Sequence, residues 1–194
     1  MQIDRTTAVV DNDFINHLAD SNISEKDLLS ALNCIFSELK LVAAIHPLVF
    51  SKEVLIEKVR VKLLFDGNII QIAEFSDIFS DNSDEELYYY YLVEELYYSL
   101  TGEKLPVSGK QIQLYWKRGK SLGEVHSLSM CLVCGCGLFL SDDGDAKRLR
   151  DYIKRKSIGS ITVYDRTELI DKHLQEGKTQ LPRSTRKSLA HKRN

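Results

Sequence analysis

The sequence predicts an α/β protein in which a parallel sheet is covered by helices on both faces. Two observations carry this. Apolar runs and amphipathic stretches alternate along the chain, most regularly in its last third, as expected of successive strand and helix units. In addition, two apolar runs, Ala8-Val9-Val10 and Leu138-Phe139-Leu140, stop abruptly at acids, Asp11-Asn12-Asp13 and Ser141-Asp142-Asp143-Gly144-Asp145, just before a helix begins. Open parallel sheets place their ligands at the carboxyl ends of the strands, so both groups of acids are expected on one edge. A chain of 194 residues, 43% hydrophobic and 28% charged, is long enough for one well-buried domain and short for two.

The elements read as follows. The first strand is Thr6 to Val10, followed by a short helix from Asp13 to Ala19. From Glu25 to Leu41 the residues Leu28, Leu29, Leu32, Ile35, Phe36 and Leu39 recur at helical steps, with Ser24 as the N-cap. Leu41 to Phe50 is apolar and fits either a buried strand or a helix end, and Pro47 marks a break within it. The stretch from Val54 to Gly119 is the least patterned. Asp66-Gly67 suggests a turn, Asn68 to Ala73 a strand, and Ser83-Asp84-Glu85-Glu86 a capping box opening a helix to Leu100, with Gly102 beyond its end. That helix carries Tyr88, Tyr89, Tyr90, Tyr91, Tyr97 and Tyr98, rings suited to half-buried packing or a dimer contact more than to stacking bases. A helix from Leu122 to Cys134, a strand from Leu138 to Leu140, a helix from Asp145 to Lys156, a strand from Ile161 to Tyr164 and a helix from Thr167 to Gln175 complete the alternation. Beyond Gly177 the apolar pattern is lost, and Arg183, Arg186, Lys187, Lys192 and Arg193 stand without any acid. Residues 177–194 therefore read as a flexible basic tail after a domain spanning 1–176.

Composition narrows the function classes. A net charge of −2 gives no overall sign of a nucleic-acid binder, although acids and bases collect at separate points. No apolar run reaches the roughly 18 residues a membrane span needs, and the first residues lack the pattern of a signal peptide, so a cytoplasmic location without membrane contact is expected. Three of the four cysteines crowd into Cys131-x-x-Cys134-x-Cys136, a spacing that suits zinc. They lie at a helix end and a strand start with no second ligand pair close by, leaving only the distant Cys34 and scattered histidines, and so read as small core residues.

The acids at strand ends and helix starts are Asp11, Asp13, Glu124, Asp142, Asp143, Asp145 and Asp165. Each has a plain alternative as a helix cap, and Ser121-Leu122-Gly123-Glu124 matches the capping box. One cap per helix does not account for Ser141 to Asp145, where several acids meet the edge that already holds Asp11. Carboxylates so gathered repel, and an oxygen-rich cluster suits a hard divalent ion, Mg²⁺ or Mn²⁺, more than zinc. Such an ion activates water and stabilises the charge of an in-line phosphoryl displacement, which points to phosphodiester hydrolysis.

Three motifs, Thr6-Thr7-Ala8-Val9-Val10-Asp11, Leu122-Gly123-Glu124-Val125-His126 and Phe139-Leu140-Ser141-Asp142-Asp143-Gly144-Asp145, resemble in order the metal-binding motifs of PIN domains, including VapC-like toxin ribonucleases. The resemblance covers residues 5–55 and 120–172. It implies a three-layer α/β/α sandwich with a short central parallel sheet, and a ribonuclease activity dependent on Mg²⁺ or Mn²⁺. By matched position Asp11, Glu124 and Asp143 would be catalytic metal ligands, with Asp145 assisting and Asp142 the rival of Asp143. Many members carry a further glutamate after the second strand, and here either His46 or Glu53 would stand for it, or the position is vacant. Residues 67–119 exceed what the compact toxins have there and read as a helical, Tyr-rich insertion. At its edge, Tyr115-Trp116-Lys117-Arg118-Gly119-Lys120 offers aromatic faces and cations for single-stranded RNA, with Lys117, Arg118 and Lys120 as substrate contacts. His126 packs or bonds locally rather than acting as a base, and Asp165 caps a helix. The implied partners are RNA, an antitoxin protein and a second copy of the chain. The alternatives are a non-catalytic PIN-like module with an incomplete metal site, binding RNA or protein, and a receiver-like or phosphatase-like domain.

Overall fold

The computed structural model describes residues 3–79, 83–117, 119 and 121–190. Its centre is a five-stranded, wholly parallel sheet in the order β3-β2-β1-β4-β5, with β1 at Thr7–Val10, β2 at Val42–Ile45, β3 at Ile70–Ile72, β4 at Leu138–Leu140 and β5 at Thr162–Tyr164. From β1 the chain winds to β2 and β3 on one side and to β4 and β5 on the other, so β1 and β4 flank the switch point of the sheet.

The strands are buried on both faces, which explains why they read as apolar runs rather than as alternating ones. Ala8, Val10, Ala43, Ile45, Leu138 and Leu140 point into one core. Against that core pack α1 (Asn12–Ala19), α2 (Glu25–Glu38), α3 (Pro47–Glu53), α4 (Val59–Asp66), α9 (Arg166–Glu176) and α10 (Arg183–Ala190). The intervening residues Val9, Ala44, Phe139 and Val163 point into the opposite core. That core is covered by α5 (Phe75–Phe79), α6 (Ser83–Thr101), α7 (Leu122–Cys134) and α8 (Gly144–Arg155). The protein is thus a three-layer α/β/α sandwich. Among the described residues no helix is long and apolar enough to cross a membrane.

Local chemistry sets the element ends. Ser24 caps α2, accepting from the Asp27 amide at 3.1 Å, and the spacing of Leu28, Leu32, Ile35 and Phe36 gives that helix its buried face. The apolar run 41–50 divides at Pro47. Pro47 opens α3 at the helical position that needs no amide donor, and His46 Nδ1 caps it by accepting from the Leu48 amide at 3.2 Å. Asp165 and Glu168 form a reciprocal capping box on α9. On α6 the tyrosines divide by face: Tyr89, Tyr90 and Tyr97 are buried, whereas Tyr88, Tyr91 and Tyr98 are exposed. Cys131 and Cys136 are buried in the second core.

Residues 67–119 are not purely a helical addition, because they begin with β3, the edge strand of the sheet, and end in a 3-10 turn at Gly109–Gln113. Residues 183–190 correct the expectation of an unstructured tail. They form α10, whose Leu189 is 1% exposed, and its carbonyl accepts from Arg166 at 3.1 Å. The apolar signal there is only Leu181 and Leu189, too sparse for a periodicity to show. Residues 191–194, the end of that expected tail, lie outside the described residues. Leu189→Ala should lower the unfolding free energy by about 2–3 kcal/mol in urea denaturation. A change within about 0.5 kcal/mol would mean that α10 adds nothing to the core.

Candidate active site

The site begins with register. Val10 pairs with Leu140, and the Asp11 amide continues the ladder to the Leu140 carbonyl at 2.9 Å, so β1 and β4 release their chains side by side. Asp11, 2% exposed, follows immediately. Its Oδ1 accepts from the Asn12 amide at 2.8 Å and its Oδ2 from the Ser141 hydroxyl at 3.1 Å. Ser141 Oγ in turn accepts from the Asp143 amide at 3.1 Å, and Asp143 Oδ1 from the Asp145 amide at 2.8 Å, capping α8. Ser141 therefore holds the two strand ends in a fixed relation, with one acid on each side of it.

The third component comes from α7. Ser121 lies in the left-handed region at φ 49° and makes no side-chain cap to the helix. Its hydroxyl donates to Asp145 Oδ2 at 2.9 Å. The capping-box explanation of Glu124 therefore does not hold, and the side chain, 9% exposed, faces the cleft instead. Glu53, at the end of α3, packs against Gly123. A Cβ on that glycine would stand 3.1 Å from both Glu53 oxygens, so the missing side chain makes room for the carboxylate. Asp11, Asp13, Glu53, Glu124 and Asp143, with Asn12, Asn16, Lys52 and Trp116, line a cleft of about 700 Å³.

Compensation for the acids of the cleft is slight, with His17 acting on Asp13 against the rise that burial causes. Among the described residues none of these five carboxylates forms an ion pair with Lys or Arg. Burial, and then Glu53 and Asp13, push the Asp11 carboxyl well above the usual carboxylate range. Glu124 is raised by burial and then by Asp11, and Asp13 by burial. The Glu53 carboxyl is pushed up to about 7 by burial, then by Glu124 and Asp13. The N-termini of α1, α7 and α8 lie at this edge, and their positive ends offset part of the repulsion. Two further oxygens, Asn12 Oδ1 and Asn16 Oδ1, are buried and have no hydrogen-bond partner among the described residues.

Other acids and bases expected at the site have different positions. Asp142 does not line the cleft: its side chain, 1% exposed, pairs with Arg166 Nε at 2.5 Å and His17 Nδ1 at 2.7 Å, tying β4 to α9 and α1. Asp145 sits at the rim, bonded to Ser121 and to Arg148 at 2.8 Å. Asp165 pairs with Lys147 at 3.1 Å. Lys117 is exposed and does not line the cleft, and Arg118 and Lys120 lie outside the described residues. His46 and His126 are both occupied by the buried Tyr89 hydroxyl, at 2.8 and 2.6 Å, so of the pair His46 and Glu53 only Glu53 reaches the cleft. Trp116 stacks on His126 with rings 6.2 Å apart and turns its indole to the cleft wall. Ser141, Asn16 and Lys52 were not singled out by the sequence, in which a serine among acids or a polar residue on a short helix carries no distinguishing mark.

The donor set fits a hard divalent cation: buried oxygens in excess, two of them amide oxygens without donors, and no sulfur or imidazole among them. The oxygens are spread. No three of the cleft acids bring one oxygen each within 4.8 Å of one another. Comparison of the chain with models of known protein families, with curated proteins and with solved structures finds no match.

The raised carboxyls hold their protons more tightly folded than unfolded. Without divalent ions, their contribution to stability is therefore intact at acid pH and is lost as pH rises from the ordinary carboxylate range through about 7. In EDTA at pH 8, Glu53→Gln should be more stable than the wild type by about 1–2 kcal/mol, a figure reduced for the partial exposure of the group. The difference should vanish near pH 4. A variant less stable than the wild type at pH 8 would show that Glu53 is compensated.

Proposed function

We propose that the cleft is the active site of a PIN-like endoribonuclease that depends on Mg²⁺ or Mn²⁺ and hydrolyses phosphodiester bonds of single-stranded RNA. One observation carries the reading: Asp11, Glu53, Glu124 and Asp143, unpaired acids from four separate segments, face one cleft at the switch point of a parallel sheet. A fold retains such repulsion against its own stability where a function requires it. Glu53 supports the reading further, because it supplies an acid for the position that the sequence left undecided.

Asp11, Glu124 and Asp143 would hold a divalent ion, which would supply Lewis-acid polarisation of a phosphoryl oxygen and a lowered pKa for water. The chain's own residues do the rest. Ser141 and the Asn12 amide fix the Asp11 carboxylate, so its position does not change when charge develops nearby. Glu53 lines the cleft with Glu124 and can accept the proton lost by an attacking water. Lys52 offers a cation to the flanking phosphate, and Trp116 an aromatic face to an unpaired base. Water adds to phosphorus, the bond to the 3′ oxygen breaks and that oxygen takes a proton, leaving a 5′-phosphate and a 3′-hydroxyl. An antitoxin partner belongs to the same reading and rests on the sequence resemblance alone.

The spread of the cleft oxygens favours a second reading, a module that binds RNA without cutting it. One experiment separates the two. With Mn²⁺ the purified chain should cut single-stranded RNA, and Asp11→Asn and Asp143→Asn should each slow cutting about 100-fold or more while leaving the circular dichroism spectrum unchanged. RNA bound with wild-type affinity but never cut would favour the module. Equal cutting by wild type and both variants would mean the activity belongs to another protein.

A further inference from the structure

A second cluster of ligating atoms lies outside the cleft and is independent of the nuclease reading. Cys34 and Glu38 are one helical turn apart on α2 and so share a face, and His173 reaches them from α9 with its side chain 0% exposed. His173 Nε2 stands 3.8 Å from Cys34 Sγ and 3.0 Å from Glu38 Oε2, and all three atoms lie within 4.8 Å of one another. Among the described residues no other trio of His, Cys, Asp or Glu meets that spacing. We propose that Cys34 Sγ, Glu38 Oε2 and His173 Nε2 form a Zn²⁺ site that ties α2 to α9 and to the turn leading into α10.

The distances suit the ion. Zinc bonds of about 2.0–2.3 Å in tetrahedral geometry place neighbouring ligand atoms roughly 3.3–3.8 Å apart, so the two separations from His173 Nε2, 3.8 and 3.0 Å, lie within a few tenths of an ångström of that range, and the thiol and the Glu38 carboxylate lie within 4.8 Å of each other. The mixture of sulfur, nitrogen and oxygen suits zinc and disfavours Mg²⁺. A hydrogen on Nε2 can serve only one of its two neighbours, whereas a cation between the three is shared by all. Glu38 is held in place by its own hydrogen bonds, as carboxylate ligands of metals commonly are: Oε2 accepts from the Lys178 amide at 2.8 Å and the Thr179 amide at 3.1 Å, and Oε1 from the Thr179 hydroxyl at 2.5 Å. Gly177 lets the chain close over the group: a Cβ there would stand 2.7 Å from Glu38 Oε2 and 2.5 Å from the His173 carbonyl. On binding, Cys34 releases its thiol proton to solvent, His173 offers the Nε2 lone pair, and a water completes the coordination.

The test uses the full-length chain and Co²⁺ as a spectroscopic stand-in. One equivalent should give the near-ultraviolet absorption of a single thiolate bound to cobalt, and Zn²⁺ should bleach it. Asp11→Asn should keep the band, and Cys34→Ser should lose it and weaken Zn²⁺ binding by roughly 100-fold or more in competition with a chromophoric chelator. Zinc should also raise the unfolding temperature of the wild type but not of Cys34→Ser. A wild-type protein with no such band would overturn the proposal whether or not the variant folds, and so would a band that survives in Cys34→Ser, which would place the metal on Cys131, Cys134 or Cys136.

Discussion

The pairing of Val10 with Leu140 is the constraint on which the candidate site depends. Parallel register forces two strands to end flush, and whatever follows each of them is delivered to the same few ångströms of sheet edge. Here both are followed by acids. Asp11 and Glu124 stay buried at this edge, and the fold accepts the repulsion among the acids gathered there. It is offset locally by the Ser141 hydroxyl, the backbone amides at the start of α1 and α8, the positive ends of three helices and, at Asp13, by His17.

The acids of this protein then fall into two populations. Asp142, Asp145 and Asp165 each have a cation: Arg166, Arg148 and Lys147 respectively. The buried pair of Asp142 with Arg166 is the strongest case, since removing one partner would leave a buried charge without its counterion. Asp11, Glu53, Glu124 and Asp143 have none among the described residues. Adjacent positions such as Asp142 and Asp143 fall on opposite sides of this division, and only the direction in which each leaves β4 decides it.

Much of the fold was legible from the chain. The strands Leu138–Leu140 and Thr7–Val10, and the helix from Leu122 to Cys134, are uninterrupted apolar patterns that stop at Ser141, Asp11 and Gly135. Helices α4 and α5 were not legible, being short and carrying too few apolar residues for a period to show. At the site, Asp11, Glu124 and Asp143 were readable because each follows a strand or opens a helix at a fixed place. Glu53 was ambiguous with His46, because the point at which β2 gives way to α3 depends on Pro47 taking the first helical position. Asp142 was misplaced because its partner, Arg166, lies on an element read only as amphipathic, and a long-range ion pair leaves no trace in local sequence. Cys34, Glu38 and His173 were missed for the same reason: 139 residues separate the thiol from the imidazole.

The central claim is that the unpaired acids at the β1 and β4 ends are matched to a divalent cation. Anomalous diffraction from crystals soaked in Mn²⁺ tests it most directly. The account predicts manganese peaks within bonding distance of Asp11, Glu124 or Asp143, with Glu53 close enough to contact the ion or its water. Manganese bound elsewhere while the cleft holds only water would contradict it.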